Sequence, residues 1–357
     1  MSQERRVVFV PGFAGASLGK PPDTYKVGPG FKDAWSGLLA RGFCSPGSVL
    51  GFLRETDEPH RPALAGIGEN VEMSEDRSKI LARTAGVPYV ENGIPGVLRR
   101  VVIDGDVGVE TGEINFPGDV VITGNISRGY RVSAWGTVKV EGTCAGAVSC
   151  TEDLVVKGGI NCPGTPIEAG RDVIAKFIEN SVVWSRRNVI VSQAILHSRV
   201  EAEGEIIITQ PGGRLVGGLS RAGVGVIVPV LGAPIGAKTV VELGVSPRER
   251  RIYDSAERDL KAVEKEIDEV TRMMSPKAKG GSVDTLRLKR YLARLDEKRK
   301  GLLQRIAAMK EEFKAGKGFL SADLVLPGAV VVMGTEPIEF HEETRFVRMG
   351  VAPSETH

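Results

Sequence analysis

Few residues in this chain combine a reactive type with a spacing that chemistry could use. Ser17 sits in Gly-Ala-Ser-Leu-Gly, residues 15–19, which matches the G-x-S-x-G turn that exposes a hydrolase nucleophile. That turn must lead from a strand into a helix, and Lys20-Pro21-Pro22 follows at once and opposes one. The overlapping run AGASLGKP, residues 14–21, lacks the first glycine and the Ser/Thr of a phosphate-cradling loop. Asp119, Asp153 and Asp172 each stand directly before an aliphatic residue. Clustered on one open face they could bind calcium and serve a carbohydrate-active enzyme, a lyase or glycosidase. At the corners of a coiled chain they would accept turn N–H bonds instead. His197 is the one histidine between residues 101 and 245, too few for a histidine ligand set, and it is expected to end a turn. Cys44, Cys144, Cys150 and Cys162 have no CxxC spacing. No catalytic residue, metal or cofactor is therefore expected, and the thiols read as reduced cysteines of a cytoplasmic protein.

Charge and composition narrow the classes further. Lys and Arg number 47 against 45 Asp and Glu, so no general attraction to nucleic acid or an anionic membrane is expected. No apolar run approaches the ~18 residues of a membrane span. The opening RRVVFVPGFAGASLG has the flavour of a signal peptide, but its prolines and glycines break the apolar stretch early. The 45 glycines and only 5% aromatics suit a turn-rich β architecture with a narrow interior.

A refrain explains that composition. YRVSAWGTVKVEG, residues 130–142, returns as GAVSCTEDLVVKG, TPIEAGRDVIAKF, SVVWSRRNVIVSQ and SRVEAEGEIIITQ. Val132, Val148, Ile167, Val183 and Val200 each precede a second aliphatic by six residues, with a small residue between. Repeats of roughly this length are one coil of a β-solenoid, two or three short strands per coil. Stacked coils place equivalent residues about 4.8 Å apart, so each column becomes a ladder inside the tube. The spacing is uneven, whereas a left-handed hexapeptide helix needs strict sixes. The expected form is a right-handed parallel β-helix.

The outward positions are less ordinary. Period two turns Val138 and Val140 inward and Lys139 outward. The same outward column holds Val121, Val155, Ile174, Ile190, Ile207 and Ile227. A strand apolar on both faces is normally buried on both. This face is expected to be covered, either by a flanking segment of the chain or by a second copy or another partner.

The flanks differ in character. Residues 1–37 read as a poorly structured leader, and 38–100 as a small N-terminal β domain that caps one end of the β-helix of 101–245. Over 246–316 glycine becomes rare and apolar residues fall into heptads. Ile252, Ala256, Leu260, Val263, Ile267, Val270 and Met274 form one seam; Leu288, Leu292, Leu295, Leu302, Ile306, Met309 and Phe313 form another, interrupted by Arg299. SPKAKGGS, residues 275–282, breaks the pattern, so the segment reads as an antiparallel coiled-coil hairpin. In 317–357, PGAVVVMG echoes PGDVVITG of 117–124, and this segment is expected to rejoin the β-helix. The fold class is thus mainly β: a right-handed parallel β-helix with an inserted α-helical coiled coil and a small N-terminal β domain.

Several phrases in order resemble the bacterial flagellar assembly protein A family. They are VETGEINFPGDVVITGNI, AKFIENSVV, AILHSRVEAEGEI, RLVGGLSRAG and LGAPIGAKTVVELG, within a resemblance spanning about residues 65–350. The front of the chain departs from it, since family members carry a longer amino-terminal domain. The resemblance implies a non-enzymatic scaffold of the bacterial cytoplasm and cell pole, acting in polar flagellum assembly through protein partners, signalling proteins among them. It adds no site residue.

Overall fold

The computed structural model describes residues 6–12, 20–56, 64–234, 236–274, 285–314 and 318–350. Ser17 and the break at 275–282 lie outside these residues.

The refrain builds a solenoid of about eight turns. Its strands join one 20-stranded sheet. Neighbouring coils pair in parallel and in register, and the register is set by the inward residues. One ladder runs Val120, Val138, Leu154, Val173, Val189, Ile206, Val226. A second runs through Ile114, Val132 and Val148, and through Ile167, Val183 and Val200. A third stacks Ile126, Cys144, Ile160, Ile178, Ile195 and Leu215. These side chains are essentially inaccessible and form one continuous core. A one-residue slip would turn every one of them outward, so the apolar columns fix the pairing.

Both ends of the tube are closed. Within the leader expected over 1–37, the described residues hold structure instead. Arg6–Pro11 pairs with Val49–Thr56, and Thr24–Lys26 pairs in parallel with Arg100–Asp104 as the first rung. Helix α1 (Phe31–Leu39) then buries Phe31, Trp35 and Leu38 in the core of the solenoid. Trp35 stacks on Phe31 with centroids 5.9 Å apart and lies 6.3 Å from Phe116. Val87, Tyr89 and Leu98 of the β segment of 38–100 join the same core, so α1 plugs this end together with that segment. The signal for α1 was the spacing of Phe31, Trp35 and Leu38 between Gly30 and Gly42, obscured by the surrounding glycines and prolines. Val49–Thr56, Val71–Met73 and Lys79–Ala82 join Arg6–Pro11 in a four-stranded sheet around Leu50, Val71 and Ile80.

At the other end, Phe319–Val325 pairs in parallel with Gly225–Leu231, and Ala329–Met333 with Thr239–Leu243. The chain therefore resumes the coil it left before the helices. Two antiparallel strands, Glu336–Glu339 and Thr344–Gly350, then fold back on that last coil. They occupy the edge on which another chain could otherwise pair.

Between these parts lie α2 (Pro247–Met273) and α3 (Thr285–Lys314). The start of α2 is specified by a capping box. Ser246 Oγ accepts the Glu249 N–H while Glu249 accepts the Ser246 N–H, with Pro247 in the first turn. Tyr253 and Ala256 of α2 pack with Ile306 and Phe313 of α3, and Val263 and Val270 pack with Leu295. The beginning of one helix thus meets the end of the other. Ile252 does not join this seam: it is exposed, and Tyr253 is buried in its place beside Phe313.

Candidate functional site

The three aspartates fall in one corner column, one to a coil, and each is committed to the backbone. Asp119 Oδ1 accepts the Thr137 N–H at 2.9 Å, Asp153 Oδ1 that of Asp172 at 3.0 Å, and Asp172 Oδ1 that of Asn188 at 3.0 Å. The donor belongs to the next coil rather than to the aspartate's own turn. Asn188 continues the column with its amide oxygen on Glu205 N–H at 2.9 Å. A neutral amide doing the same work shows that the column needs an acceptor, not a charge. Asp172 also holds Arg187 through both oxygens, at 2.9 and 2.7 Å. Among the described residues no group of three or more His, Cys, Asp or Glu is placed to hold a metal ion.

His197 occupies a corner with φ of 46°, stacked between Asn180 at 47° and Gly217 at 68° in neighbouring coils. Asn and Gly are the residues that enter this left-handed region most readily. The histidine is therefore a corner residue with an exposed ring. Cys144 and Cys150 lie inside the tube, where burial pushes their thiols up to about 12. They are neutral at physiological pH and poor nucleophiles.

The outward column is one unbroken run of paired rungs, apolar at every rung but Lys139. Val121, Lys139, Val155, Ile174, Ile190, Ile207 and Ile227 pair rung to rung. None of the six apolar side chains is buried, and Ile174 is 38% exposed. The expectation of an intramolecular lid is not met among the described residues. The physical reason is self-shielding: branched side chains stacked at about 4.8 Å cover each other's flanks without a further layer.

The helices leave from a different face, through a cluster that the sequence did not reveal. Glu201, Arg221 and Glu242 occupy one outward column on three successive coils. Glu201 is 1% exposed and meets Arg199 at 2.7 Å, Arg221 at 3.4 Å and Arg251 of α2 at 2.8 Å. Arg221, 9% exposed, holds Glu242 at 2.7 Å and reaches Asp254 of α2 at 3.8 Å. Burial alone would lower the Arg221 pKa, but the hydrogen bond to Glu242 and the charges of Glu242, Glu201 and Asp254 outweigh it and hold the group above its ordinary value. Arg250 lies 3.4 Å from Asp254, and Arg251 lies 3.8 Å from Glu203. Four arginines meet four carboxylates. Beside them, under the first turns of α2, opens a polar cavity of about 660 Å³ lined by Glu168, Trp184, Arg186, Glu203, Arg248 and Arg251.

A family model, the Flagellar Assembly Protein A beta solenoid domain, matches residues 100–332. The chain belongs to the flagellar assembly protein A family. The match takes in the coils, both long helices and the strands that resume the solenoid after them, so the helices are an insertion within the flagellar assembly protein A domain. Neither the curated proteins nor the solved structures contain a match to the chain. No helix among the described residues is long and apolar enough to cross a membrane.

Proposed function

We propose that the chain is a non-enzymatic scaffold of flagellum assembly, cytoplasmic and placed at the cell pole, which recruits protein partners through its helical arm. In this reading the solenoid is right-handed and the arm of α2 and α3 is a two-stranded coiled coil. The observation that carries it is the commitment of the refrain. Its apolar residues are the core, and its aspartates hold neighbouring coils together. That leaves the carbohydrate-active alternative without a free carboxylate pair in that column, and family membership supplies the process. Affinity capture from extracts of the native cells tests the proposal. The whole chain should retain a partner that a chain with 246–316 replaced by a short Gly/Ser bridge loses. Equal capture by both would reject recruitment by the arm.

The apolar stripe suits a second copy, because a regular flat ladder is self-complementary about a twofold axis. Seven rungs at about 4.8 Å make a strip roughly 30 Å long and one strand wide, smaller than the ~800 Å² per partner of a stable complex. The expected dimer is weak. Light scattering should show a mass that rises with concentration for the wild type and stays monomeric for Ile190→Lys combined with Ile207→Lys. A wild-type mass that stays monomeric throughout, or a double mutant that still dimerises, would reject this contact.

A further inference from the structure

We propose that the cavity at the root of the arm binds a phosphorylated sugar. The motive is an imbalance of charge. In the neighbouring cluster every arginine has a carboxylate: Arg199, Arg221, Arg250 and Arg251 meet Glu201, Glu203, Glu242 and Asp254. The side chains of Arg186 and Arg248 have none among the described residues, although both line the same cavity, one from a solenoid corner and one from the first turn of α2. Two unneutralised guanidinium groups on one concave surface form a site for an oxyanion, which each can hold through paired N–H donors.

The rest of the wall limits what the anion is attached to. Trp184 is the aromatic residue of the lining, and the Arg251 guanidinium lies over its ring at 5.3 Å from the centroid. One face of the ring is therefore taken by Arg251, which leaves less of it for a nucleobase to stack on. Glu203 is engaged by the Arg248 N–H at 3.2 Å and by Arg251. The Glu168 side chain is exposed and has no ion-pair partner among the described residues. A free carboxylate in the same lining can accept hydrogen bonds from hydroxyl groups, as a sugar presents them. The cavity of about 660 Å³ falls in the usual range for small-molecule sites and holds a hexose phosphate with room for water. Both arginines are exposed, so their replacement leaves the fold intact. Arg248 lies within the segment whose removal tests recruitment by the arm, so point substitutions in the full chain separate the two proposals.

Titration calorimetry on the full chain tests this with glucose 6-phosphate, glucose and inorganic phosphate. Glucose 6-phosphate should bind, glucose should not, and phosphate should bind at least about tenfold more weakly. Arg186→Gln and Arg248→Gln should each weaken glucose 6-phosphate about tenfold, the loss expected for one charged hydrogen-bonding partner. Glu168→Gln should narrow the preference for the sugar phosphate over phosphate. No heat at millimolar glucose 6-phosphate would overturn the proposal, as would binding that survives both arginine replacements. Equal affinity for phosphate and glucose 6-phosphate would overturn it as well, leaving an adventitious ion only.

Discussion

Val189→Asp is expected to unfold the solenoid at temperatures where the wild type is intact. Val189 is inaccessible and sits mid-ladder between Val173 and Ile206. The substitution removes a buried aliphatic group, about 1.5–3 kcal/mol, and leaves a carboxylate without a partner in an apolar tube. Together these cost several kcal/mol, a large part of the roughly 5–15 kcal/mol that typically holds a domain together. The damage spreads because each coil is supported only by its neighbours. Ile190→Asp is the control: one residue later, the side chain points outward and the cost should stay below about 1 kcal/mol. Thermal melts followed by circular dichroism separate the two. A wild-type melt for Val189→Asp would mean that the register is wrong.

Arg221→Ala should give the next largest loss, about 2–3 kcal/mol, because it removes the hub of a buried ion cluster. Glu201 keeps Arg199 and Arg251, but Glu242 loses its 2.7 Å partner and Asp254 loses one link from α2 to the solenoid. Arg221→Met, which keeps most of the volume without the charge, should fall between alanine and wild type. Urea unfolding measures both. A change under about 0.5 kcal/mol for alanine would show that the cluster contributes nothing net, as many surface ion pairs do.

The solenoid was legible because its determinants are local and repeated. Each coil restates the same inward aliphatics, so the columns of the repeat reappear as paired rungs from Val120 to Val226. The outward stripe was also legible as a column, but its cover was not. Burial of Ile174 or Ile190 depends on how neighbours shadow one another, which a rule about strands buried on both faces overstates. The seam of the arm was readable in its period and wrong at one position. Ile252 fits the heptad, yet at the root the seam turns to meet the solenoid and Tyr253 takes its place. The cluster around Glu201 was not legible, since Arg251 lies 50 residues away in sequence and its contact depends on the direction in which α2 leaves the coil. Trp184, Glu201, Arg221 and Glu242 do stand in one outward column, and that alignment was the available signal. The cavity beside it is a product of the same geometry.

The central claim is that the solenoid stands by itself and carries its arm as an insertion. Replacing 246–316 with a short Gly/Ser bridge tests this most directly, because Gly225–Leu231 and Thr239–Leu243 already pair with the strands that follow the arm. The shortened chain should keep its β circular dichroism and melt cooperatively, only a few degrees below the wild type. That deficit reflects the ion pairs that Arg250, Arg251 and Asp254 make at the root with Glu242, Glu201 and Arg221. A chain that fails to fold without the arm would contradict the claim and make the helices part of the solenoid's own core.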